Sequence, residues 1–261
     1  MNPLRKAFEH GPAFIPFVTA GDPSAEKTVA YVVALANAGA DIVELGVPFS
    51  DPIADGPVIQ AAGLRAFAGG VTVERVFDIV AAIRQQTQVP LVFLTYANIP
   101  FKYGYERFCA RCAKLKVAGL VIPDLPAEEA GELLPAASQN GVAIIPLVSP
   151  TSGHRLAKLT AHADGFVYIV SALGVTGTRD GFAQNLDDLI ADLRNVTDAP
   201  LCVGFGIHTP EQASAIAGQA DGVIVGSAIV KLIADAPDDL AGLAEYAGAM
   251  ADATHSGRGQ A

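Results

Sequence analysis

Apolar residues along this chain gather in short unbroken runs, and stretches of a different rhythm separate the runs. Eight such runs can be read: "AFIPFVT" (13–19), "DIVELG" (41–46), "PLVFLTY" (90–96), "GLVIPD" (119–124), "VAIIPLV" (142–148), "GFVYIVS" (165–171), "PLCVGFG" (200–206) and "GVIVGS" (222–227). They are continuous rather than alternating, as expected of strands buried on both faces of a parallel sheet. Between them the spacing changes to i, i+3, i+4. In "AEKTVAYVVALANAG" (25–39) small and apolar residues follow that helical period, and Gly39 supplies the stop. Ala-Asp followed by a short β-branched run recurs at "AGADIVELG" (38–46), "AHADGFVYIV" (161–170) and "GQADGVIVGS" (218–227), with "VAGLVIPDLP" (117–126) a looser copy. Eight strand–helix units in about 250 residues predict an α/β fold, a (β/α)8 barrel of the TIM type. A doubly wound sheet is the rival. It would carry a glycine-rich turn after the first strand, and "TAGDPS" (19–24) holds no G-x-G-x-x-G. No Pro/Gly/Ser linker divides the chain, so residues 1–261 read as one domain, with a tail expected to fray from about residue 252.

Composition narrows the class. Apolar residues make up 51% of the 261, which is globular rather than disordered. No apolar run approaches the ~18–20 residues of a membrane span, and Met1 to Pro12 has no apolar core of a secretory signal. A net charge of −10 argues against nucleic acid. Three cysteines make no disulfide framework. Cys109 and Cys112 have C-x-x-C spacing but lie in a helical stretch without a second pair, so they read as ordinary thiols rather than a redox or zinc site. The five histidines are scattered. These readings predict a cytoplasmic protein without a metal.

Three features carry candidate chemistry. Glu44 lies near the C-terminal end of the second strand, where barrels place catalytic groups. Alternation puts it on one face with Ile42. It is either in the barrel mouth or a structural carboxylate paired with a cation. Asp55 follows in "DPIADGP" (51–57), a loop stiffened by prolines. Alone it would be an ordinary turn residue before Gly56. Together the two suggest carboxyls with separate roles, one raised in pKa by apolar surroundings to act as acid and base, one ionised to stabilise a developing cation. The second feature is glycine at two strand ends, "GFGIHTPEQ" (204–212) and "VGSAIV" (225–230), each opening a helix. Backbone N–H groups and a helix N-terminus there suit a phosphate, at the place where barrels often hold one. The third is "SALGVTGTRDGFAQN" (171–185), too long for a plain connector and readable as a lid over substrate.

"FVTAGDPS", "ELGVPFSDPIADGPVIQ", "TYAN", "PDLP", "GVTG", "VGFGI" and "VGSAIV" occur in one order, and together they resemble the tryptophan synthase alpha subunit family over about residues 4–250. The resemblance implies a retro-aldol lyase that cleaves indole-3-glycerol phosphate to indole and glyceraldehyde 3-phosphate, in tryptophan biosynthesis, with no cofactor in this chain. It implies a β partner carrying pyridoxal phosphate, in an α2β2 tetramer. By motif, Glu44 resembles the acid–base residue that relays a proton between the substrate hydroxyl and indole C3. Asp55 resembles the carboxylate that holds the indole N–H. Phe17 and Leu94 match the indole pocket, Tyr168 an aromatic beside the Glu, and Thr176 a lid residue that contacts the Asp. Gly177, Gly206, Gly226 and Ser227 match phosphate-binding positions, Asp124 a supporting carboxyl, and Asp51 and Pro52 the loop facing the partner. Ala172 stands where the family's lid often carries Arg. Two other readings stay open. One is another phosphate-binding barrel enzyme of the same pathway, although the eight strands contain no Lys for the lysine-based chemistry. The other is a non-catalytic barrel that only activates a partner.

Overall fold

The computed structural model describes residues 2–170, 179–204 and 206–257. Their strands form one parallel sheet, β1 (Ala13–Thr19), β2 (Val43–Gly46), β3 (Leu91–Leu94), β4 (Val117–Val121), β5 (Ala143–Ile145), β6 (Leu147–Val148), β7 (Val167–Val170), β8 (Leu201–Gly204) and β9 (Gly222–Val225), in the order β5-β4-β3-β2-β1-β9-β8-β7-β6. β5 and β6 are two pieces of one barrel strand, interrupted at Pro146. A proline has no N–H to give a ladder. β5 therefore pairs with β4, β6 pairs with β7, and the ring closes through the chain itself. The eight runs read from the sequence are the eight barrel strands.

Two layers of core explain why the runs are unbroken. Ala13, Ile15, Ile42, Val92, Val121, Ile145, Phe166, Cys202 and Ile224 pack together inside the ring. The residues between them, such as Phe14, Val43, Leu45, Phe93 and Leu120, pack outward. They meet helices that include α1 (Ala25–Asn37), α2 (Val73–Arg84) and α3 (Tyr105–Lys114). A strand with apolar partners on both sides cannot alternate.

Two copies of the recurring Ala-Asp pattern, at Asp41 and Asp221, have a local cause. Asp41 Oδ2 accepts from Phe14 N at 2.8 Å, and Asp221 Oδ2 from Leu201 N at 2.7 Å. Each carboxylate thus caps the N–H at the start of a neighbouring strand.

Two expectations are corrected, and one element is added. The fourth strand ends at Val121 and not at Asp124, because Pro123 closes it. Residues 252–256 continue a helix instead of fraying. Helix α4 (Leu240–Ser256) stays regular to its end, where His255 meets Asp41 at 2.8 Å and Gly257 is buried against Ala217 so closely that a Cβ would come within 2.6 Å. The N-terminus also does more than the pattern suggested. Pro3–Lys6 forms a helical turn whose Leu4 is fully buried under the barrel. Gly119 and Gly165 make room for it, since a Cβ on either would meet Leu4 at 3.1 or 2.9 Å.

Candidate active site

At the C-terminal end of the strands, register places Glu44 level with Phe17 on β1 and Val92 on β3. Gly46, two residues on, lets Phe17 lie across β2, since a Cβ there would fall 2.5 Å from the ring. Above this level opens a cavity of about 450 Å³, lined among others by Asp55, Ile59, Leu94, Leu147, Tyr168, Gly206, Gly226 and Ser227. Two hollows of about 660 and 590 Å³ are larger. One lies at the N-terminal ends of β5, β7 and β8 and the other flanks the split strand, and neither is lined by Asp55.

Glu44 is only 2% exposed, and its Oε1 has no hydrogen-bond partner among the described residues. The structural alternative of a carboxylate neutralised by a cation therefore finds no support there. Burial, then the charge of Asp55, pushes the Glu44 carboxyl up to about 8. Such a group is protonated at neutral pH and poised to give and retake a proton. Leaving a buried polar atom unpaired costs about 1–3 kcal/mol, and sites of chemistry are where such a cost is tolerated.

Asp55 lies at the end of the loop between β2 and helix α5 (Pro57–Ala68). Burial raises its pKa as well, but a hydrogen bond from Tyr96 works in the opposite direction. Two carboxyls thus influence each other in unlike settings, Glu44 buried with Oε1 unpaired among the described residues, Asp55 at the cavity with a donor nearby. The loop is tied down along its length. Val47 N donates to Leu94 O at 2.8 Å, Asp55 N to Pro52 O at 3.0 Å, and Gln60 Nε2 to Asp55 O at 2.8 Å. Behind it, Arg65 on α5 grips the buried Asp22 through two 2.7 Å hydrogen bonds, anchoring the helix to the loop after β1.

Another part of the cavity wall is built from backbone. Gly206 has φ +73°, a left-handed conformation that glycine adopts without strain. Gly226 precedes helix α6 (Ser227–Asp235), and a Cβ on it would sit 3.7 Å from Phe17 and 3.9 Å from Ile59. A side chain there would thus clear the protein and extend into the cavity.

The sequence-predicted residues divide accordingly. Asp55, Leu94, Tyr168, Gly206, Gly226 and Ser227 come together around one cavity. Glu44 and Phe17 are nearly sealed beneath it, Phe17 packing with Ile59 and Leu94. Tyr168 is partly buried against the interior core, and desolvation followed by the Glu44 charge raises its pKa well above the usual phenol range. Asp124 touches the loop after β3 instead, accepting from Ala97 N at 2.8 Å. Asp51 is exposed at the rim with Pro52 partly covered. Thr176 and Gly177, like Ala172 and all of 171–178 in the stretch read as a lid, lie outside the described residues; the rest of that stretch, from Arg179, is not loop but the start of a helix, Arg179–Arg194. Tyr96 was missed, although the i, i+2 step from Leu94 points it the same way. Cys109 and Cys112 are free, buried thiols in α3, and burial pushes Cys109 up to about 11.

The family model described as "Tryptophan synthase alpha chain" matches residues 5–255. The chain belongs to the tryptophan synthase alpha chain family. Among relatives, the tryptophan synthase alpha chain of Lacticaseibacillus casei is 60% identical over 234 residues, covering 90% of this chain and 88% of that one. The one from Lactiplantibacillus plantarum is 55% identical, covering 94% of each. The crystal structure of tryptophan synthase subunit alpha from Legionella pneumophila superposes with a TM-score of 0.90 at 34% identity, over 98% of this chain and 99% of that one. The protein is accordingly a lyase of tryptophan biosynthesis, and its reaction is the alpha reaction, retro-aldol cleavage of indole-3-glycerol phosphate to indole and glyceraldehyde 3-phosphate.

Proposed function

We propose that Glu44 and Asp55 divide the cleavage between them, and that Gly206, Gly226 and Ser227, with Gly177, hold the substrate phosphate. The observation that carries this reading is the pair of unlike carboxyls, Asp55 lining a cavity that glycine backbone also lines and Glu44 buried beneath it. Protonated Glu44 gives its proton to indole C3, making an indolenine cation. The Glu44 carboxylate then takes the proton of the side-chain hydroxyl. The carbon–carbon bond breaks, its electrons restore the aromatic ring, and the hydroxyl carbon leaves as the aldehyde. The proton on Glu44 is restored at the end of the cycle. Asp55 stays ionised, accepts the indole N–H and offsets the cation. Leu94, Tyr168 and Phe17 supply the apolar bed for the ring, and Thr176 meets Asp55 from the lid. The phosphate end is held by N–H groups at glycine turns and a helix N-terminus, so no lysine cluster is required. No cofactor enters these steps.

Incubating the purified chain with indole-3-glycerol phosphate and measuring indole tests the scheme. For the phosphate rim, Gly226→Val is expected to weaken glycerol phosphate binding at least tenfold and indole binding far less, as read by calorimetry. Equal losses for both ligands would mean general damage to the barrel and no phosphate site there.

The partner assignment belongs to the same proposal. Solved relatives include tryptophan synthase from M. tuberculosis in an aminoacrylate-bound form, whose matching chain aligns with a TM-score of 0.88 at 34% identity over 97% of this chain. In the proposed assembly, α2β2 and cytoplasmic, a β subunit with pyridoxal phosphate docks on the loop bearing Asp51 and Pro52. Ile53, in the same loop, is 83% exposed, an apolar side chain suited to burial by a neighbour. Asp51→Ala is expected to leave indole release by the isolated chain within twofold and to reduce mutual activation with the β subunit. Parallel loss of both would place Asp51 in the catalytic machinery instead.

A further inference from the structure

We infer that Tyr96 is a positioning residue for the cleavage: its phenol joins the end of β3 to the loop that carries Asp55 and aims the Asp55 carboxylate before substrate arrives. This rests on the role proposed above for Asp55. The hydroxyl of Tyr96 accepts from Ala54 N at 3.0 Å. A phenol has a single proton to donate. With the Ala54 amide on its oxygen, that proton is left for the carboxyl of the next residue, and the Tyr96 hydroxyl acts on Asp55 as a donor that favours its charged form. One oxygen therefore ties down the loop backbone at Ala54, one peptide bond from the carboxylate it acts on.

The phenol itself has little freedom. Tyr96 is 1% exposed, and the ring of Phe49, from the same loop, stacks on it at 4.9 Å between centroids and 19° between planes. The backbone on either side is held by hydrogen bonds from Thr95 N to Val121 O at 2.9 Å and from Ala97 N to Asp124 Oδ1 at 2.8 Å. Asp124 thereby fixes the residue after Tyr96. The path runs from β4 through Asp124 and Ala97 to Tyr96, and from its hydroxyl to Ala54 and Asp55. Every member is a hydrogen bond or a covalent neighbour.

The titratable groups described around this mouth are Glu44, Asp55, Tyr96, Asp124 and Tyr168. Burial, with the charges of Asp55 and Asp124, raises the Tyr96 pKa far above neutrality, so the phenol remains a donor at working pH. Its hydrogen bond favours the ionised form of Asp55 against the burial that disfavours it. Removing the hydroxyl should therefore protonate Asp55 at higher pH and let its loop wander.

The test is Tyr96→Phe in the full chain, which retains the ring and its stack. The expected result is a fall in kcat of about tenfold or more, with the acid limb of the kcat/KM profile moved to higher pH. In an Asp55→Asn background the same change should have little further effect, since a residue acting through Asp55 has nothing left to position. Replacing Tyr96 with 3-fluorotyrosine keeps the shape and sharpens the donor, and should move the acid limb to lower pH. This second variant decides the matter if Tyr96→Phe folds poorly. An unmoved acid limb in both variants, or losses that simply add to those of Asp55→Asn, overturns the inference while leaving the cleavage scheme intact. A parent chain that releases no indole would instead overturn the scheme on which it rests.

Discussion

Glu44→Gln is expected to cut indole release by about 10³-fold or more, because general acid–base catalysis is worth roughly 10²–10⁴ and this one group moves a proton twice. Substrate affinity should change only a few-fold, since the amide keeps the shape of the side chain. The same variant should differ in stability in a direction set by the Glu44 titration. The carboxyl is pushed from 4.5 to about 8 in the fold. Between those values the folded protein holds a proton that the unfolded chain has released. Stability of the parent therefore falls as pH rises through that window, by an amount on the order of 5 kcal/mol once Glu44 is fully ionised. The Gln side chain does not titrate and avoids this loss. The melting temperature of Glu44→Gln, relative to the parent, should thus climb steadily from pH 5 to about pH 8. For the parent, kcat/KM should decline on the alkaline side near the Glu44 value. Turnover within twofold of the parent, or a stability difference independent of pH, would remove Glu44 from its role.

The strands were legible because barrel strands are dry on both sides, and each run of apolar residues reports that directly. Their ends were less so. Pro123 and Pro146 each interrupt a run that looks continuous when only hydrophobicity is followed. The order of the tail was hidden for another reason. It depends on Gly257 fitting against Ala217 and on His255 reaching Asp41, contacts between residues far apart in sequence. Position along a strand was enough to mark Glu44, because a charge in an apolar run needs an explanation. Asp55 alone looked like an ordinary turn residue; pairing with Glu44 across the proline-stiffened loop made it a candidate, and the resemblance then gave it a role. Tyr96 escaped attention because an aromatic at the end of an apolar strand looks like core. Only the hydroxyl's partners, Ala54 and Asp55, distinguish it.

Asp55→Asn should be nearly as damaging as the change at Glu44, with a loss of roughly 10²–10³-fold, the usual effect of removing one preorganised electrostatic contact to a charged transition state. Asn preserves the size of the side chain and can still accept from Tyr96. What it lacks is the negative charge that offsets the indolenine cation, so the loss should fall on kcat and only weakly on KM. The substitution also reaches Glu44. Burial is the larger cause of the raised Glu44 pKa and the charge of Asp55 the second. Neutralising Asp55 leaves the first cause and removes the second, so Glu44 should titrate below the parent's value of about 8 but still above 4.5. A carboxyl-carbon NMR titration of Glu44 reads this without any need for turnover. Asp55→Glu restores the charge on a longer arm and should recover part of the activity and return the Glu44 titration toward the parent. If Asn proves as active as Asp, a hydrogen bond to the indole N–H suffices and charge stabilisation is the wrong account. If activity is lost while the Glu44 titration stays put, the two carboxyls do not sense each other, and the division of labour between a dry acid and an ionised neighbour fails with it.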